Sequence, residues 1–285
     1  MHQPRLELQL LKVGSCMHLE CLAMRGGALR PIVFPALSGL MIHPSVGPIL
    51  FDTGYSQHFH SATQPFPERI YRWTTPMRLP SNQTLQRQLA RFDVALEDVA
   101  LCIVSHFHGD HVAGLRDLPN AKILAMQSGY ESLKQRGRWR ALLGGNLPAL
   151  LPADLSSRLQ FAESTPAVML PSPWGELGHG FDLLGDQSIL GIPLPGHAPG
   201  QLGLLIRDAA DRRVLLAADA SWSMRAVVGL KMPSLLARPV IHNWQVYRST
   251  LEVLHRASVA HPEISILPSH CNVSLAGYQP GWAEQ

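Results

Sequence analysis

The sequence predicts an α/β chain in which two mixed β-sheets pack face to face with helices on both outer sides, an αββα sandwich. Three observations predict it. Apolar runs bounded by turn residues fall into an early and a late group, each group is followed by a stretch with helical spacing, and at least one run is continuously apolar, as a strand covered on both faces would be.

In chain order, Leu6 to Val13 and Leu37 to Ile42 read as strands. Gly47-Pro48 then leads into Ile49-Leu50-Phe51 and the turn Asp52-Thr53-Gly54. Residues 55–81 are rich in Pro, His and aromatic side chains with no period, which reads as a long loop placed to cover a site. Leu85, Leu89 and Phe92 have the spacing of a helix with one buried face. Val99 to Val104 is the continuous apolar run, so Ser105 and His106 are expected just beyond the C-terminal end of a buried strand. Residues 137–185 mix helical fragments with Pro and Gly and take no firm reading. Ile189 to Leu194, Leu202 to Ile206 and Val214 to Ala218 form the late strand group. Trp244, Tyr247, Leu251, Leu254 and Ser258 recur at helical spacing, and Ile264 to Leu267 is one more strand before His270. The two halves are expected to meet near residue 185 within one domain covering 1–285.

Composition narrows the function classes. A chain of 285 residues with 46% hydrophobic content can fill a large core. No stretch approaches the roughly 18 apolar residues of a membrane span, and the first residues lack the apolar region of a secretion signal, so a cytoplasmic protein is expected. Cys16, Cys21, Cys102 and Cys271 have neither paired spacing nor scaffold density and read as reduced thiols. The 24 Lys and Arg are scattered and the net charge is only +3, so neither nucleic acid nor membrane is expected as a partner. The expected partner is a small-molecule substrate, and a homodimer is left open.

Chemistry enters with the placement of the 14 histidines. His106, His108, Asp110 and His111 put three imidazoles and a carboxylate within six residues, just after a strand. Alternate residues there can aim at one point and the following pair at a neighbouring point, which suits two adjacent metals. His197 in Leu-Pro-Gly-His, Asp219 in Leu-Ala-Ala-Asp and His270 in Leu-Pro-Ser-His each close an apolar strand in the same way. Asp52 reads as a group that orients a ligand imidazole through its other ring nitrogen. His58 and His60 repeat the His-x-His spacing without a following Asp-His and read as polar loop residues.

Asp52 in Phe-Asp-Thr-Gly, the 106–111 segment, His197, Asp219 and His270 together resemble the five ordered motifs of the metallo-β-lactamase superfamily. That resemblance implies the metallo-β-lactamase fold. It also implies that His106, His108 and His197 hold a first metal and Asp110, His111 and His270 a second, with Asp219 bridging them. Within the superfamily the chain looks most like the N-acyl-homoserine lactonase branch, on Gly14-Ser15-Cys16-Met17, on Gly47 to Gly54 and on Asp219-Ala220-Ser221. It departs from that branch at Trp222, where a tyrosine is common three residues after the bridging Asp. An indole donates one hydrogen bond but is not a phenol.

The implied activity is hydrolysis of a carboxylic ester or lactone by metal-activated hydroxide, with Asp110 and Asp219 in catalytic roles and zinc as the expected metal, iron or manganese being alternatives. An N-acyl-homoserine-lactone-like substrate fits best. Alternatives on the same fold are phosphoester hydrolysis, iron-dependent thiol oxidation, or a non-hydrolytic protein that binds a metabolite. Phe59, Phe66, Tyr71, Trp73, Met77, Trp139, Trp174 and Trp222 are candidate pocket walls, of which at most half are expected to serve.

Overall fold

A computed structural model describes residues 4–285; the first three residues of the segment read above for a leader lie outside the described residues. The first sheet contains β1 (Glu7–Leu19), β2 (Pro31–His43), β3 (Gly47–Phe51), β4 (Met77–Arg78), β5 (Leu101–Ile103), β6 (Lys122–Ala125) and β7 (Leu159–Phe161), in the spatial order β4-β1-β2-β3-β5-β6-β7. The second contains β8 (Ala167–Met169), β9 (His179–Asp182), β10 (Ile189–Pro193), β11 (Leu202–Arg207), β12 (Arg213–Ala218) and β13 (Ser265–Pro268), in the order β13-β12-β11-β10-β9-β8. Both are mixed: β3, β5, β6 and β7 run parallel in the first, and β12 and β13 in the second.

Strand alternation builds three layers of core. On β3 and β5, Ile49, Phe51, Leu101 and Ile103 face the second sheet, where they meet Leu202, Leu204, Ile206, Val214 and Leu216. Leu50, Cys102 and Val104 point the other way, onto Leu85, Leu89, Leu115 and Leu150. On the far side, Leu205, Leu215 and Ala217 pack under Leu251, Leu254 and Ala257 of the helix Trp244–Ala260. Both faces of β5 are therefore buried, which is why its run is continuously apolar. The αββα sandwich expected from the sequence is the observed arrangement.

Two expectations are corrected. The chain passes from the first sheet to the second between Phe161 and Ala167, not near residue 185. Strands β8 and β9 are short and partly exposed, so they carry no apolar run to reveal them. Residues 55–81 are not one long loop but hold the helices His58–Ala62 and Arg69–Thr74 and the strand β4. Helices this short contain too few turns to display a period. His58 is engaged structurally, its Nε2 lying 2.7 Å from Asp117 Oδ1. Among the described residues no helix is long and apolar enough to cross a membrane.

Asp208, at the end of β11, ties the C-terminal helix Asn272–Tyr278 to the sheet. It accepts from the Tyr278 hydroxyl at 2.7 Å, from Arg212 N at 2.8 Å and from Arg212 Nε at 2.7 Å. Burial pushes its carboxyl up, but these donors win and hold it below the usual range. A depressed carboxylate contributes stability above its unfolded pKa of about 3.9 and loses it as pH falls through the folded value. Asp208→Asn is expected to cost about 2 kcal/mol at neutral pH and to weaken the acid limb of a pH–stability curve. Urea unfolding between pH 7 and 3 checks this; superimposable curves for the two proteins would reject it.

Candidate metal centre

All seven candidate ligands lie beyond the C-terminal ends of strands. His106, His108, Asp110 and His111 follow β5 of the first sheet, and His197, Asp219 and His270 follow β10, β12 and β13 of the second. The cluster therefore sits on the seam between the sheets. The short helix Gly109–Val112 carries Asp110 and His111, and His108 is its N-cap residue.

The structure brings all seven together. One donor atom each from His106, His108 and His197 lies within 4.8 Å of the others, and the same holds for His106, His111 and Asp219, and for Asp110, His111 and His270. Asp219 stands between the groups: its carboxylate oxygens are 3.3 Å from His197 Nε2, 3.4 Å from His111 Nε2 and 3.2 Å from His270 Nε2. Asp110 Oδ2 is 3.3 Å from His270 Nε2.

The surrounding hydrogen bonds decide which ring nitrogen faces inward. His111 Nδ1–H donates to Asp52 Oδ2 at 2.7 Å, and His270 Nδ1–H donates to the Pro35 carbonyl at 2.7 Å. His106 Nδ1–H donates to Ser105 Oγ at 2.9 Å, and that hydroxyl donates to Asp52 Oδ2 at 2.7 Å. Three imidazoles are thus held through Nδ1 with Nε2 turned inward, the nitrogen that a metal takes in place of a proton. His108 is turned the other way, with Nδ1 3.1 Å from His197 Nε2. Asp52 takes the orienting place expected of it, at the end of β3 with φ of 59°. Thr53 beside it binds the His111 carbonyl through both its N–H and its hydroxyl. Ser105 went unrecognised as a relay, because a lone serine after a strand carries no signal.

Burial and the neighbouring cationic imidazoles hold His106 and His197 well below the ordinary histidine range, and burial draws His108 down to about 4. Burial also pulls on His111, but Asp110, Asp52 and Asp219 together keep it well above the ordinary value. His106 Nε2 and His111 Nε2 are buried with no hydrogen-bond partner. Such atoms cost about 1–3 kcal/mol each unless something occupies them. Imidazoles with inward-facing ring nitrogens, interleaved with two carboxylates, are a donor set that fits divalent transition metals.

The centre opens into a cavity of about 410 Å³ lined largely by apolar side chains, among them Leu22, Phe34, Ile70, Leu142 and Leu236, with Asp110 and Asp219 at its floor. Of the aromatic candidates, Tyr71, Trp139 and Trp222 line it. Phe59 and Trp174 are buried in the core, Phe66 and Trp73 are exposed, and Met77 packs against the outer core. The Trp222 indole N–H donates to Asp219 Oδ2 at 2.9 Å, so it contacts the carboxylate between the two ligand groups. His18 lines the same cavity.

Gly145, at φ +75°, packs against the His108 ring, where a Cβ would meet Cδ2 at 3.0 Å. Gly145→Ala is expected to weaken binding of a divalent metal about tenfold by tilting that ring, with a loss of about 1 kcal/mol in stability. Zinc titration beside thermal melts checks this, and unchanged affinity would reject it.

The sequence pattern of the metallo-beta-lactamase superfamily matches residues 38–257 of the chain. A probable metallo-hydrolase of Mycobacterium tuberculosis, Rv2300c, is 27% identical over 211 residues, covering 72% of this chain and 62% of that protein, so the match spans less than two thirds of the relative's length. The N-acyl homoserine lactonase AttM of Rhizobium radiobacter is 30% identical over 149 residues, covering 52% of this chain and 51% of its own. Among solved structures, AidC, a dizinc quorum-quenching lactonase in complex with a product, superimposes with a TM-score of 0.64 at 16% identity, covering 95% of this chain and 90% of that one. At that identity the likeness speaks for the fold.

Proposed function

Because the chain belongs to the metallo-β-lactamase superfamily, we propose that it is a two-metal hydrolase acting on a small carboxylic ester or lactone with an apolar acyl chain. The observation that carries this reading is Asp219, whose carboxylate lies within 3.4 Å of ring nitrogens from both ligand groups at the floor of an apolar cavity. His106, His108 and His197 would hold one cation, Asp110, His111 and His270 the other, and Asp219 both. Two such cations, zinc being our choice for this ligand set, supply a water acidified toward neutral pH and a Lewis acid for the carbonyl.

The chain's own residues do the rest. Leu22, Phe34, Ile70 and Leu236 offer an acyl chain a dry wall and so fix the carbonyl over the floor. Asp110 lines the cavity as the more exposed of the two floor carboxylates, which suits it to receive a proton from the attacking water. Trp222 holds Asp219 by its indole N–H and leaves the acid role of the lactonase-branch tyrosine unfilled at its own position. The lactonase names among the relatives support an N-acyl-homoserine-lactone-like substrate.

Elemental analysis of the purified protein is expected to find about two transition metals per chain, with turnover of acyl lactones or esters that chelation abolishes and zinc restores. Fewer than one metal per chain, with no metal-dependent turnover on the panel, would end the proposal.

A further inference from the structure

A second cavity, of about 440 Å³, opens on the same His108–His197 pair as the apolar one and has the opposite character. Leu143, Pro239 and Val240 border both and form a ridge between them. Beyond that ridge the lining is more polar and carries two cations, Arg136 and Arg140, with His242, Ser132 and Gln135 beside the apolar Pro199 and Ile241. None of its lining residues is acidic.

The two arginines are set for an anion. Arg140 lies exposed on the helix Arg138–Leu143 and has no carboxylate partner among the described residues, whereas Arg138 of the same helix is closed by Glu68. Arg136 is half-buried and positioned: its Nη1 donates to Asn146 Oδ1 at 2.8 Å, and Asn146 Nδ2 in turn donates to the Phe107 carbonyl at 2.7 Å, beside His108. Its guanidinium lies over Gly144, where a Cβ would stand 2.1 Å from Nη1, so glycine leaves the space that it occupies. That single bond to a neutral amide leaves most of its five donors free. Two guanidinium groups without carboxylates, beside the centre and separated by a ridge from an apolar cavity, match a molecule that is apolar at one end and anionic at the other.

We propose that this groove binds an anionic oxygen group, carboxylate or phosphate, on the portion of the substrate opposite its apolar chain, with Arg140 and Arg136 as its cations. The proposal rests on the hydrolase reading for where the scissile bond lies, and it narrows the substrate from a neutral N-acyl-homoserine lactone to an ester or lactone that carries an anion. The groove itself can be tested apart from turnover.

The test uses the full-length, metal-loaded protein and two esters of equal acyl length, phenyl hexanoate and its meta-carboxyphenyl counterpart. The wild-type protein is expected to favour the anionic ester about tenfold in kcat/KM, the worth of one charge-assisted hydrogen bond. Arg140→Gln should bring the ratio close to one. Gly144→Ala should do so too, since it keeps every charge and displaces the Arg136 guanidinium. Calorimetric titration with benzoate and with phenyl phosphate supplies the readout without turnover. Arg140→Gln should weaken binding of at least one probe about tenfold, and the probe bound more tightly by the wild type identifies the group. An equal ester preference in wild type and variants, with unchanged probe binding, overturns the groove while leaving the hydrolase reading intact. Hydrolysis of neither ester counts against the hydrolase reading, and the calorimetric comparison then decides the groove alone.

Discussion

Asp219→Ala is expected to reduce bound metal to one equivalent or fewer per chain and to lower kcat/KM by at least about 10³-fold, the largest effect of any single substitution in the molecule. The side chain is almost completely buried and lies within hydrogen-bonding or ion-pair reach of three imidazoles and the Trp222 indole. Removing it takes away the one carboxylate common to both ligand groups and leaves His111 and His270 with Asp110 alone beside their inward nitrogens. Asp219→Asn keeps the shape and deletes the charge, so it separates the two contributions. Metal content by mass spectrometry and kinetics on the same preparation check the pair. An Asp219→Ala protein with full turnover and two metals would remove this residue from the centre.

Asp52→Ala should give the second-largest effect, and chiefly in stability. Asp52 is fully buried and accepts from Ser105 N, Ser105 Oγ and His111 Nδ1, each at 2.7 Å. Truncation leaves these donors without an acceptor in a dry site, a loss of about 3–5 kcal/mol. For a chain of this size that is a fall in Tm on the order of 10 °C. Asp52→Asn should cost less stability. It places an amide against His111 Nδ1 and favours the tautomer with Nε2 protonated, so metal affinity should drop about 10- to 100-fold. Thermal melts of chelated and loaded protein separate the two effects. Equal metal affinity in wild type and Asp52→Asn would mean that Asp52 does not set the ring orientation.

The ligands were legible because their chemistry is dense in sequence. His106, His108, Asp110 and His111 fall within one turn after a strand, and each partner ends an apolar run of its own. Both sheets could be read where both strand faces are buried, as at Val99 to Val104 and Val214 to Ala218. Strands β8 and β9, half exposed and only a few residues long, left no pattern, which displaced the expected boundary between the halves. The cavity walls were hidden for another reason. Leu22, Phe34 and Leu236 are far apart in sequence, and an apolar residue facing a cavity looks the same as one facing a core. Arg136 and Arg140 carried no signal either, since what distinguishes them is the lack of carboxylate partners in three dimensions.

The seam between the sheets has a consequence for folding. Four of the seven ligands belong to the first sheet and three to the second, so a metal ion bound to His106, His108 and His197 joins the two halves across their common edge. Metal loading and assembly of the sandwich then become a single linked equilibrium: a free metal concentration 1,000-fold above its dissociation constant adds about 4 kcal/mol to the folded state. Starved of metal, the chain would lose a cross-brace as well as a reagent, and its lifetime against proteolysis would report metal supply.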